Sequence, residues 1–158
     1  MPPTEVLIAS RRTATAGLAA LVISAPSVVQ GKPDVQQAVE AFVMKFEGLH
    51  NKKDAVGPAA LYADDGVLVP PGPIATGKQS IETMWQAVLY DGRTGLKYKV
   101  QQAREDGDVA WSAGQFSVMV SGDKGVPRER QGNFSQLHQW QGDEPKLRVR
   151  TFNFLPPR

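Results

Sequence analysis

Asp64 and Asp65 stand side by side in Tyr62-Ala63-Asp64-Asp65-Gly66, between an apolar run and a short strand. A carboxyl group held at a pocket mouth and partly desolvated is pushed toward the basicity of a useful general base. Adjacent carboxylates also resist joint ionisation, although side chains at successive positions point in different directions. The same two residues suit a structural corner, in which Asp fixes a turn or meets a strand backbone. The residues favour the corner and leave the base open. His138 is the other candidate proton carrier, because imidazole titrates near neutral pH. It shares a strand face with Gln136 and Trp140, and a place on a sheet face or in a dimer interface is its alternative role.

Phe42, Tyr62, Trp85, Trp111 and Trp140 are candidate pocket walls, although aromatics at helical and strand spacing serve a core equally well. Gln115, Ser117, Thr151 and Asn153 are polar residues at alternating strand positions. On a concave face, Gln115 and Asn153 would be among the few polar groups orienting a ligand in an apolar cavity; on a convex face they are surface. One strand register decides between the two.

Several chemistries are not encoded. The chain lacks cysteine, which removes disulfides, thiolate catalysis and Cys-ligated metal. With only His50 as a companion to His138, a histidine metal site is not expected. There is no Gly-rich phosphate loop and no nucleophile elbow, so no cofactor is expected. A formal charge of +2 is too small for a nucleic-acid binder, which needs a dense basic patch. Lys97/Lys99 and Arg148/Arg150, at strand spacing, are expected to lie on a solvated sheet face.

The elements that must position these residues follow from periodicity. Asp34 is placed to cap a helix in which Val35, Val39, Phe42, Val43, Phe46 and Leu49 recur at helical spacing. Asp54 can cap a short second helix. Residues 66–69 form a strand, residues 70–73 a Pro/Gly turn, and residues 74–75 the return of a small hairpin. Thr76 is expected to cap a third helix with Ile81, Met84, Trp85, Val88 and Leu89 on its apolar face. Strands then follow one another: residues 96–101, Val109–Ser121, residues 131–140 and residues 146–154, with an Asp106-Gly107 hairpin signal after the first. On the last strand Leu147, Val149, Thr151 and Asn153 are expected on one face. Helices first and an antiparallel meander after them predict an α+β domain with helices on one face of a curved sheet.

Residues 1–31 read differently. Arg11-Arg12 precede an uncharged, mildly apolar run too short to span a membrane. Ser10-Arg11-Arg12 resembles the start of a twin-arginine export signal, although Thr13-Ala14-Thr15-Ala16 is not the usual bulky apolar sequel. An export signal, implying a periplasmic or secreted domain over residues 32–158, is preferred to a disordered extension on a cytoplasmic one. No other segment is apolar enough to cross a bilayer.

The helix over residues 35–49, the run Leu61-Tyr62-Ala63-Asp64-Asp65-Gly66-Val67-Leu68-Val69-Pro70-Pro71-Gly72, the segment Gly77-Lys78-Gln79-Ser80-Ile81 with Trp85, and the closing strands together resemble the SnoaL-like and ketosteroid-isomerase-like branch of the nuclear transport factor 2 superfamily. The resemblance spans residues 34–155. It implies a cone: an antiparallel, strongly bent sheet around helices, with a largely apolar pocket for a small molecule at its wide end. It also implies a homodimer through the outer sheet face. Its members include isomerases, hydratases and hydrolases that need no cofactor, and others without assigned activity. The isomerase members pair a carboxylate base with acidic hydrogen-bond donors. Here no Asp or Glu lies within Val109–Ser121 or residues 131–140, and Tyr98 is the only tyrosine on the later strands. The expectation is therefore a pocket protein for a small apolar molecule, with or without acid/base chemistry by Asp64, Asp65 and His138.

Overall fold

The computed structural model describes residues 34–142 and 144–156. The expected export signal lies outside them. The order of elements is α1 (Val35–Asn51), α2 (Val56–Ala60), β1 (Tyr62–Val69), β2 (Ala75–Thr76), α3 (Lys78–Tyr90), β3 (Thr94–Asp106), β4 (Val109–Ser121), a single 3-10 turn (Asp123–Gly125), β5 (Pro127–Gln141) and β6 (Glu144–Phe154). Helices precede the meander, as the change of hydrophobic period from helical to alternating requires. Among the described residues no helix is long and apolar enough to cross a membrane.

The six strands form one sheet in the order β2-β1-β6-β5-β4-β3. The meander β3 to β6 is antiparallel as expected, but β1 lies parallel to β6, so the sheet is mixed. The domain is α+β. One face of the sheet, carrying Leu68, Leu96, Phe116, Val118, Phe134 and Leu147, packs on Phe42, Val43 and Phe46 of α1 and on Ile81 and Trp85 of α3.

Local caps differ in detail from expectation. Asp34 precedes α1 without a side-chain capping bond, and Gly77, not Thr76, holds the N-cap position of α3. Ala55, not Asp54, holds the N-cap position of α2, but the Asp54 Oδ1 just before it accepts the Gly57 N–H at 2.9 Å. At the other end of α1, Asn51 mimics a strand. Its amide donates to the Leu96 carbonyl at 2.9 Å and its oxygen accepts the Leu96 N–H at 2.8 Å. One turn earlier, the Glu47 carboxylate accepts the Tyr98 N–H. Three bonds thus fix the C-terminal turn of α1 to β3, and they set the position of His50 between them.

Alternation along β4 and β5 is regular: Ala110, Ser112, Phe116 and Val118 are buried, as are Phe134, Gln136 and His138. In β6 it is not. Leu137 pairs with Val149 while His138 pairs with Leu147, so Arg148 is the extra residue of a bulge. Leu147 faces the core, Val149 faces out, and Arg150 returns to the core, only 2% exposed. The expectation that Arg150 lies on a solvated face is thereby corrected. The face expected to run from Leu147 through Val149 and Thr151 to Asn153 is split at the same point, because one inserted residue moves every later side chain to the opposite face.

Candidate functional site

Asp64 and Asp65 sit in β1 at the surface. Asp64 pairs with Lys78 Nζ at 2.6 Å and Asp65 with Arg148 at 3.0 Å. The hydrogen bond and charge of Lys78 lower the Asp64 pKa, the reverse of what a general base needs. These residues tie β1 to the start of α3 and to the β6 bulge; they lie within β1, which begins at Tyr62 and not at Gly66 as expected.

His138 lies at the centre of the sheet, fully buried. Its Nε2 is 3.1 Å from Ser112 Oγ, and its ring meets Phe42 edge-on at 5.0 Å. Burial pushes its pKa down to about 4, so it is neutral at pH 7. It does not line the cavity described below. Phe42 lies beside it and faces a separate surface groove between α1 and the start of β6. Trp111, Gln115 and Asn153 are on the outer sheet face, and Trp140 is half-buried near the β5–β6 turn. Of the expected walls, Trp85 is in the cavity lining and Tyr62 packs directly behind it.

The cavity opens between the C-terminal half of α3, the end of α1 and strands β3, β4 and β6. It encloses only about 20 Å3, room for about one water. Trp85, Val88, Leu96, Val118 and the rings of Tyr98, Phe116, Phe152 and Phe154 form its walls, and His50, Arg93 and Arg150 are its basic residues. A wider cleft of about 420 Å3 shares Trp85, Val88, Arg93, Phe152 and Phe154 with it and runs out to the 70–73 turn and Arg130. Among the described residues no carboxylate lines either space; Asp91 stands on the outer rim with Arg93 and Arg130. The cleft's volume suits a small organic molecule, the cavity's only a head group.

Two glycines place the aromatic walls. On the concave face Phe116 pairs across β4–β5 with Gly132, and Phe134 with Gly114. Each ring lies over the opposite glycine, where a Cβ would come within 2.4 Å of Phe116 or 3.0 Å of Phe134. The spacing Gly-x-Phe therefore occurs twice, in Gly114-Gln115-Phe116 and Gly132-Asn133-Phe134; Phe116 lines the cavity, and Phe134 packs against Tyr98 in the core.

The charged floor of the cavity had no such signal. Arg150 stacks its guanidinium on Phe46 at 4.2 Å, on Tyr98 at 4.9 Å and on Trp85 at 5.5 Å. The Tyr62 hydroxyl lies between Trp85 and Arg150, and burial raises its pKa to about 12, so it stays protonated. Burial also lowers the Arg150 pKa to about 10, which leaves it charged at neutral pH. His50 stands edge-on to Trp85 at 6.0 Å, and its pKa is lowered, chiefly by burial.

No family model matches the sequence, and no curated protein does. Solved structures do match the fold. A ketosteroid isomerase-like protein from Erwinia carotovora atroseptica superposes with a TM-score of 0.70 at 19% identity, over 79% of this chain and 99% of that one. A protein described as a candidate dehydratase of the nuclear transport factor 2-like family, from Streptomyces avermitilis, gives 0.66 at 12% identity, over 78% and 98%. A candidate calcium/calmodulin-dependent protein kinase II association domain from Xanthomonas campestris gives 0.63 at 19% identity, over 75% and 86%. At these identities the likeness is one of fold, and the fold is nuclear transport factor 2-like.

Proposed function

We propose, starting from this nuclear transport factor 2-like fold, that the domain binds a small, largely apolar molecule in the cleft between α3, the 70–73 turn and β6, with one end reaching the small cavity beside it. The observation that carries the reading is the adjoining cleft of about 420 Å3, of ligand size, which shares the Trp85, Val88, Phe152 and Phe154 walls with the small cavity. The three residues expected to move protons do not support catalysis there: Asp64 and Asp65 are engaged in surface ion pairs, and His138 is sealed in the core. Binding without acid/base chemistry by these residues is the reading favoured.

Calorimetric titration with naphthamide, a neutral apolar probe, tests it. Val88 lines both the cavity and the outer cleft, so Val88→Phe fills the passage between them. The expected result is measurable binding to the wild type, about ten-fold weaker binding to Val88→Phe, and unchanged binding to an Asp64→Asn/Asp65→Asn double variant. A wild type that ignores the probe, or a Val88→Phe variant that binds it as tightly, sinks the reading.

A second observation concerns a partner. Trp111, Leu137 and Val149 are 40%, 38% and 37% exposed, and they are direct ladder neighbours on β4, β5 and β6. An apolar row across the outer sheet face fits a second copy of this chain, packed face to face, better than it fits water. The expected state at micromolar concentration is a homodimer, and Trp111→Glu with Leu137→Glu is expected to give a folded monomer by light scattering. A monomeric wild type rules the dimer out.

A further inference from the structure

We propose that Arg150 makes the cavity a carboxylate site, and that its ligand is a small molecule with one carboxylate on a flat or alicyclic apolar body. The inference rests on the pocket reading above and adds the chemical class of the ligand.

Arg150 is 2% exposed, yet among the described residues it has no ion pair, and its Nε and Nη1 meet no acceptor. A buried cation without a counterion is costly. The faces of Phe46, Tyr98 and Trp85 recover part of that cost through cation–π attraction. They act on the face of the guanidinium, however, and leave its Nε and Nη1 donors unused, the Tyr62 hydroxyl being its side-chain hydrogen-bond partner. Those donors form a planar fork that matches the two oxygens of a carboxylate.

The neighbours of Arg150 point the same way. The Tyr98 hydroxyl, on the cavity wall, is buried without a partner among the described residues. Gln136 is directly opposite Arg150 in the β5–β6 ladder, 3% exposed, and neither its amide nitrogen nor its amide oxygen is bonded. The fork and the Tyr98 hydroxyl belong to the lining of a space whose other walls are mostly apolar and aromatic, and Gln136 adjoins Arg150 without itself lining that space. The charge count limits the ligand. Among the described residues no acid lines the cavity, and His50 has its pKa lowered, chiefly by burial. The small cavity admits a carboxylate head beside Arg150, with Arg93 also in its lining, and the adjoining cleft of about 420 Å3 admits a body of one or two rings.

The test compares naphthoate with naphthamide, which share a body and differ in the charged head. Titrations use the wild type, Arg150→Met and Arg150→Lys. A charge-assisted hydrogen-bonded pair predicts that the wild type binds naphthoate roughly ten-fold or more tightly than naphthamide. Arg150→Met should bind the two alike, and Arg150→Lys, which keeps the charge without the fork, should keep a weaker preference. If the wild type binds naphthamide as tightly as naphthoate, the carboxylate proposal is overturned while the pocket reading stands. If it binds neither, both fall. A preference that survives in Arg150→Met assigns the head group to Arg93 or Arg130 at the mouth and overturns the role of Arg150. Should Arg150→Met fail to fold, the wild-type ratio and its fall in Arg150→Lys decide; an unchanged ratio in Arg150→Lys overturns the proposal.

Discussion

Gly114→Val unfolds the domain or lowers its stability by roughly 3 kcal/mol or more, and Gly132→Val does the same. A Cβ on Gly114 would stand 2.1 Å from the Lys99 carbonyl oxygen and 3.0 Å from its carbon. Both are backbone atoms of the neighbouring strand and cannot turn aside. Gly114 pairs with Val100, beside the irregularity between Val100 and Gln102, so the close approach belongs to a bend where β3 folds over β4. On Gly132 a Cβ would be 2.2 Å from the Asn153 carbonyl oxygen and 2.4 Å from the Phe116 ring. The two glycines let the strands crowd together and let Phe116 and Phe134 cover them. Chemical denaturation of the purified variants measures the loss. Gly48→Ala is the control: it sits in α1 with nothing within 4 Å of the added carbon, and should be as stable as the wild type or more so. A Gly114→Val protein with the wild-type midpoint would show that β3 does not approach β4 in this way.

Acidification from neutral pH toward 4 is expected to destabilise the domain steeply, before most carboxylates titrate. His138 has its pKa lowered from 6.5 to about 4 by burial, and that of His50 is also lowered, chiefly by burial. In the unfolded chain both titrate near 6.5. The unfolded state therefore binds protons first as the pH falls, and stability drops with it. The contribution is fully present above about pH 6.5 and is lost as the pH falls toward the folded value. For His138 alone the loss across this window is roughly 3 kcal/mol, at about 1.4 kcal/mol per pH unit. His138→Gln keeps a polar side chain near Ser112 and removes the titration. Its denaturation midpoint should vary less between pH 7 and pH 4.5, with the remaining slope due to His50 and the carboxylates. An equal slope in wild type and variant would mean that His138 is hydrated or charged in the folded protein.

Much of the fold was legible because it depends on local pattern. The helical recurrence of Val39, Phe42, Val43 and Phe46 sets α1, and its buried face is those residues. The Asp106-Gly107 turn and the alternation after it set β4 within its observed bounds, and even positions of β5 face the core. The start of β1 was not legible: the strand begins at Tyr62, not at Gly66, so Asp64 and Asp65 fall inside it, where Lys78 and Arg148 hold them. Candidate chemistry was harder to read. A carboxylate pair and a histidine look reactive by type, whereas reactivity depends on what surrounds them: Lys78 and Arg148 for the aspartates, the closed core for His138.

By itself the sequence determined the element order, the α+β class, the faces of β4 and β5 and the aromatic character of the interior, since each follows from side chains a few residues apart. Tertiary structure alone decided the parallel pairing of β1 with β6, the bulge at Arg148 and the cavity floor. A bulge is a mismatch in length between two paired strands, and neither strand carries it alone. Its one extra residue sends Val149 and Asn153 outward and turns Arg150, which by period two belongs with Arg148, into the aromatic interior.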